Sequence, residues 1–123
     1  KAENLLKFVG LHQKRKLRAG DLSFGQQKLL ELAMALMNEP KMLLLDEPTA
    51  GINPTLINGI IDRLITVNKD YGITLLVIEH NMKVIMSLAQ KIFCLAHGQM
   101  LADGTPEEIK NDRRVIDAYL GAQ

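Results

Sequence analysis

The chain has 123 residues, 47% of them hydrophobic and 24% charged, enough for one packed domain and unlike a disordered segment. Fifteen Lys and Arg against fourteen Asp and Glu leave a formal charge of +1, which argues against a general nucleic-acid binder. Cys94 is the single cysteine, so an internal disulfide and a cysteine-based metal site are excluded. No apolar run approaches the roughly 20 residues that span a bilayer, and no signal-peptide pattern is present.

Ala2 to Val9 has helical spacing, with Leu5, Leu6 and Val9 on one side and Gly10 as its stop. The chain opens on Lys1 rather than Met, inside what reads as a helix, so a truncated or excised segment is expected. His12 to Asp21 is polar and reads as a loop; its basic run Lys14-Arg15-Lys16-x-Arg18 is short and reads as solvated. Ser23, with Gln26 three residues on, fits a capping box that starts the strongest helix. Asn38-Glu39-Pro40 ends that helix. Lys41 to Asp46 is a continuous apolar run, expected as a strand buried on both faces of a parallel sheet.

Asn53-Pro54 opens the next helix, Asn as N-cap and Pro at the first helical position. Its Ile57, Ile60, Ile61, Leu64 and Ile65 form one stripe, which we read as core together with the methionines. Ile73 to Ile78 is expected as a second buried strand. Asn81 caps a short helix through Leu88, and Lys91 to Ala96 is a third strand. His97-Gly98-Gln99 is a tight turn into a short strand at Met100 and Leu101. Thr105-Pro106-Glu107-Glu108 is a second capping box, followed by a C-terminal helix through Val115 to Leu120 that Gly121 ends. Cys94 is expected as a buried, reduced thiol. Helices alternating with apolar strands predict an α/β fold built of βαβ units, with residues 1–40 mainly helical and 41–123 carrying the sheet.

Two places carry chemistry. The first is Leu22-Ser23-Phe24-Gly25-Gln26, a Ser/Gly turn at a helix start. Free backbone N–H groups and the positive end of the helix dipole favour a phosphate there, and Gly25 lets the backbone approach closely. The second is the apolar strand that ends in Asp46-Glu47-Pro48. Strand alternation would point the two carboxylates to opposite faces and give them different roles, at the carboxyl edge where α/β folds bind ligands. The three histidines show no metal-ligand spacing, and His12 and His97 have no chemical context.

In order along the chain, the Leu22–Gln26 turn, the strand ending in Asp46-Glu47-Pro48, the Ala50-Gly51-Ile52-Asn53 loop and the strand ending in Glu79-His80 resemble ABC-type ATPases. They stand where that family has its signature motif, Walker B strand, D-loop and switch histidine. Ala50-Gly51-Ile52-Asn53-Pro54 and the Tyr119-Leu120-Gly121 ending most resemble the ATP-binding subunits of branched-chain amino-acid importers. The sequence departs from the common pattern at Phe24 for a second glycine, Asn53 for an aspartate and Met34 for an arginine. It contains no G-x-x-x-x-G-K-[ST] phosphate loop and no Gly-Lys pair.

The resemblance implies the C-terminal part of a P-loop NTPase domain, a mainly parallel sheet flanked by helices with the end of a helical subdomain before it. It implies that Ser23, Gly25 and Gln26 contact the γ-phosphate of an ATP held by a second subunit. Asp46 serves Mg²⁺, commonly through water, and Glu47 orients and activates the attacking water. His80 hydrogen-bonds the γ-phosphate, and Ala50, Gly51 and Asn53 line the interface between two ATP-binding subunits. Membrane permease subunits are the further partners, with the ATPase peripheral at the cytoplasmic face and no nucleic-acid partner. A fragment without the phosphate loop is expected to be inactive alone. Two other readings stand beside this one: a non-enzymatic half-domain that pairs with a complete ATPase, and a soluble ABC ATPase acting on nucleic acid or ribosomes.

Overall fold

The structure is a computed structural model that describes residues 1–120. It divides into two compact units, Lys1–His80 and a second from Asn81 onward. The first unit contains α1 (Ala2–Phe8), α2 (Phe24–Leu36), β1 (Met42–Asp46), α3 (Pro54–Lys69) and β2 (Thr74–Ile78). The expected boundaries hold within about two residues. The loop before α2 folds into two short 3₁₀ turns, His12–Lys14 and Ala19–Asp21.

Local chemistry explains the helix ends. Gly10 takes φ +77 just past α1. Ser23 accepts a hydrogen bond from the Gln26 amide while the Gln26 side chain accepts from the Ser23 amide, which completes the capping box of α2. Asn53 accepts from the Thr55 amide at 3.0 Å and caps α3, whose first residue is Pro54.

The strands β1 and β2 lie parallel, with Leu43 opposite Leu75 and Asp46 opposite Ile78, joined through α3 as a βαβ unit. From α3, Ile60, Ile61, Leu64 and Val67 are buried, whereas Ile57 and Ile65 are only half-buried. Burying each such side chain stabilises the fold by about 1.5–3 kcal/mol. A second cluster joins α1 to α2 through Val9, Leu11 and Ala33, with Leu5, Leu6, Leu29 and Leu30 packed on it. The Arg63 guanidinium fastens α3 to the end of α1, donating to the Phe8 carbonyl at 3.1 Å.

Two expectations are corrected. The strands over residues 41–46 and 73–78 are not buried on both faces. Met42, Leu44 and Asp46 of β1 share an exposed face with Thr74, Leu76 and Ile78 of β2, and Leu44 is 71% exposed. A two-stranded sheet with α3 on one side leaves the opposite side uncovered, so continuous apolarity here marks a face open to a neighbour. The methionines are likewise not all core. Met34 and Met37 lie on the outward side of α2, Met42 on the open sheet face, and Met100 on the outside of a hairpin.

The second unit contains α4 (Met82–Leu88), β3 (Ile92–Ala96), β4 (Gln99–Gly104), α5 (Pro106–Lys110) and α6 (Arg113–Val115), which continues with π-helical hydrogen bonding over Ile116–Leu120. The third strand does not extend the parallel pair. It forms an antiparallel hairpin with β4, because only two residues, His97 at φ +51 and Gly98 at φ +76, connect them. Positive φ at both central residues matches the twist of paired strands. Its core is Ile92, Cys94, Ala102, Ile109 and Val115. The Thr105 capping box starts α5 as expected, but the helix ends at Asn111 and a new one starts where Asp112 caps α6. Tyr119 donates its hydroxyl to the Leu95 carbonyl. Cys94 is a buried free thiol, and burial raises its pKa, with the Asp112 charge adding to the effect. The expectation that Gly121 ends the last helix lies outside the described residues.

Candidate active site

Parallel pairing brings the carboxyl ends of β1 and β2 side by side, and the chemical side chains stand just beyond them. Asp46 ends β1 on the open face. Glu47 follows outside the strand, at φ +48. That left-handed conformation costs a residue with a Cβ roughly 1–2 kcal/mol and is retained only where the surroundings impose it. Strand alternation therefore does not govern Glu47, and the opposite-faces argument from sequence is replaced by a turn. The Glu47 amide donates to the Ile78 carbonyl at 2.8 Å, which holds the turn against the end of β2. As a result the Glu47 Oε1 and the His80 Nδ1 lie 3.3 Å apart, with both side chains at least half exposed.

Beneath this pair is a contact that sequence reasoning did not anticipate. Thr49, the one buried polar residue among those described, gives both its backbone N–H and its hydroxyl to Glu79 Oε1, the N–H at 3.2 Å. Glu79 Oε2 accepts the His80 backbone N–H at 3.1 Å. The sequence held Thr49 and Glu79 next to candidate residues, but a carboxylate bridge between segments 30 positions apart has no local periodic signal.

The second cluster gathers at the start of α2. Helix geometry leaves the amides of Phe24 and Gly25 without an acceptor inside the helix, so they face outward beside Ser23. Gly25 is buried, and a Cβ there would come within 2.9 Å of Leu56 Cδ1. Gly51, at φ +71, packs against Phe24, whose ring would stand 3.2 Å from an added Cβ. Lys28 Nζ lies over the Phe24 ring, 5.5 Å from its centroid.

One loop joins the clusters. It leaves β1 at Glu47, turns where the Ala50 N–H donates to the Glu47 carbonyl at 3.1 Å and the Ile52 N–H to the Thr49 carbonyl at 3.2 Å, and enters α3 at Asn53. Thus the structure brings Glu47 to His80, and Gly51 with its neighbours to Ser23-Phe24-Gly25. Ala50 and Asn53 are exposed along the same loop. Asp46 is the strand-end carboxylate beside them. No cluster of three or more His, Cys, Asp or Glu able to hold a metal ion occurs among the described residues. One carboxylate suits a cation that retains most of its waters and takes its other oxygens from phosphate, which is how Mg²⁺ binds. No helix among the described residues is long and apolar enough to cross a membrane.

The chain is similar to known proteins in sequence and in fold. A family model described as ABC transporter matches residues 1–50, and one described as branched-chain amino acid ATP-binding cassette transporter matches residues 99–123. The chain is 38% identical over 123 residues to a probable branched-chain amino acid transport ATP-binding protein LivG of Archaeoglobus fulgidus, covering 100% of this chain and 48% of that protein. It is 41% identical over 120 residues to the high-affinity branched-chain amino acid transport ATP-binding protein BraF of Pseudomonas aeruginosa, covering 98% and 47%. Among solved structures, the ADP conformation of an ATP-binding cassette of an ABC transporter superposes with a TM-score of 0.87 at 39% identity, covering 98% of this chain and 49% of that one. The chain spans about half the length of the curated relatives it matches. By fold and by sequence, the chain is similar to ATP-binding cassettes of ABC transporters, among them those of branched-chain amino-acid transport.

Proposed function

We propose that the protein to which this chain belongs hydrolyses ATP to drive an ABC importer, with branched-chain amino acids as the transported class. One observation carries the reading. A carboxylate in a strained turn faces an imidazole at 3.3 Å, beside a strand-end aspartate at the carboxyl edge of a parallel pair. Such a pair can position a water and take its proton while the imidazole donates toward a terminal phosphate oxygen. Glu47 is the water-orienting base and His80 the phosphate contact. Asp46 would hold Mg²⁺ through water, and the bound ion would offset phosphate charge. Ser23, Gly25 and Gln26, at the dipole end of α2, would meet the γ-phosphate of an ATP cradled by a second ATP-binding subunit. Ala50, Gly51 and Asn53 would line the interface between those subunits, and permease subunits in the membrane would use the motion.

Residues 1–40 correspond in this reading to the end of a helical subdomain and 41–123 to the catalytic α/β part. The 123 residues contain no phosphate loop, so the chain alone forms half of a site. Calorimetry tests this division. MgATP titrated into the chain should give no binding heat. A chimera with these 123 residues in place of the matched segment of the Archaeoglobus relative should bind it. Binding and turnover by the chain alone, abolished by Glu47→Gln, would overturn the half-site reading.

A further inference from the structure

We propose that Glu79 is a positioning residue for the Glu47–His80 pair, with Thr49 as its anchor. The inference rests on the catalytic reading above and adds to it the residues that set the pair's geometry.

Both members of the pair are side chains on turns at the surface, with 50% and 73% of their side-chain areas exposed, so packing alone does not fix their separation. Something must hold Glu47 at φ +48 and the residue after Glu79 opposite it. The Glu79 carboxylate has the necessary connections. Its Oε1 takes the hydroxyl and the backbone N–H of Thr49, two residues past Glu47. Its Oε2 takes the backbone N–H of His80 itself. The carboxylate thus ties the loop that carries the base to the peptide that carries the imidazole. Charge-assisted bonds to a carboxylate are about twice as strong as neutral ones, and the Thr49 end is buried at 5% exposure. Beside the bond from the Glu47 amide to the Ile78 carbonyl, the bridge is a second tie across the strained turn, and its removal loosens both loops.

The chemistry separates the roles of the atoms. Gln at position 79 keeps one acceptor oxygen for Thr49, but its amide nitrogen cannot accept from the His80 N–H. Val at position 49 is close in shape to Thr but lacks the hydroxyl, and Ser restores it. These variants grade the bridge without removing the fold's apolar contacts.

The test is an NMR double-mutant cycle on the 123-residue chain, read at the ring resonances of His80. In the parent, Glu47→Gln should shift the His80 ring signals, because the two groups are 3.3 Å apart. In the Glu79→Ala background the same substitution should move them by less than one third as much. Glu79→Gln and Thr49→Val should give intermediate values, and Thr49→Ser should restore the parent response. If Glu79→Ala unfolds the chain, the Glu79→Gln and Thr49 variants decide the matter alone. An equal Glu47→Gln response in every folded background would overturn the proposal. In the chimera, Glu79→Ala should lower kcat about 100-fold with KM unchanged, the size expected of a small misplacement of reacting groups. The NMR cycle needs no ATP, so its failure is distinct from failure of the ATPase reading, which would show as a chimera without turnover.

Discussion

The packing of Phe24 on Gly51 makes a quantitative prediction, because Gly72 provides an internal control. Both glycines lie in the left-handed region, Gly51 at φ +71 and Gly72 at φ +68. Alanine at either site incurs a strain of about 1–2 kcal/mol, partly offset by about 0.4–1 kcal/mol from a less flexible unfolded chain. The net for Gly72→Ala is then about 0.5–1 kcal/mol, since no atom lies within 4 Å of its added Cβ. At Gly51 the new methyl would also meet Phe24 Cε1 at 3.2 Å, so the ring must retreat by a few tenths of an ångström. Overpacking in a closed core costs about 1–3 kcal/mol. Phe24 is 53% exposed and has room to move, which lowers the added cost to about 0.5–1 kcal/mol. Urea unfolding would read the gap as a midpoint about half a molar lower for Gly51→Ala than for Gly72→Ala, at equal slope. In a Phe24→Ala background the gap should close. Equal costs for the two glycine substitutions, or a gap that survives removal of the ring, would refute the contact between the signature turn and the loop after β1.

Other substitutions test the remaining layers of the fold. Leu64→Ala, at a side chain 1% exposed, should cost about 2–5 kcal/mol by thermal or chemical unfolding. Ser23→Ala should cost about 1 kcal/mol through loss of the cap, with Ser23→Asp retaining most of it. Leu44→Thr, at 71% exposure, should change stability by less than about 0.5 kcal/mol while raising the solubility of the chain. Cys94 supplies a pH dependence. Its folded pKa is raised by burial, so the unfolded chain loses its thiol proton first. The contribution is fully present below the ordinary thiol value of about 8.5 and declines as pH rises toward the folded value. Cys94→Ala should flatten that alkaline limb, as read by midpoint against pH.

Much of this architecture was legible because it is written in local chemistry. Ser23 with Gln26, Asn53 with Pro54 and Thr105 with Glu108 each place a helix start through hydrogen bonds that span three residues or fewer. The apolar runs at 42–46 and 74–78 gave strands for the same reason. Apolarity reports preference, however, not coverage, and so Leu44 and Ile78 were expected inside and are exposed. The pairing of β3 followed from the two-residue turn at His97-Gly98 rather than from the run that precedes it. At the site, Asp46, Glu47 and His80 were visible as residue types at strand ends. The positive φ of Glu47 and the Thr49–Glu79 bridge were not, because each depends on segments about 30 residues apart meeting in space.

The central claim is that Glu47 is the base of an ATP-hydrolysing site that this chain completes. Single-turnover MgATP hydrolysis by the chimera, with and without Glu47→Gln, tests it most directly. The account predicts hydrolysis in the parent chimera and a loss of about 100-fold or more in the variant, with ATP binding retained. Hydrolysis that proceeds at an unchanged rate in Glu47→Gln would contradict it.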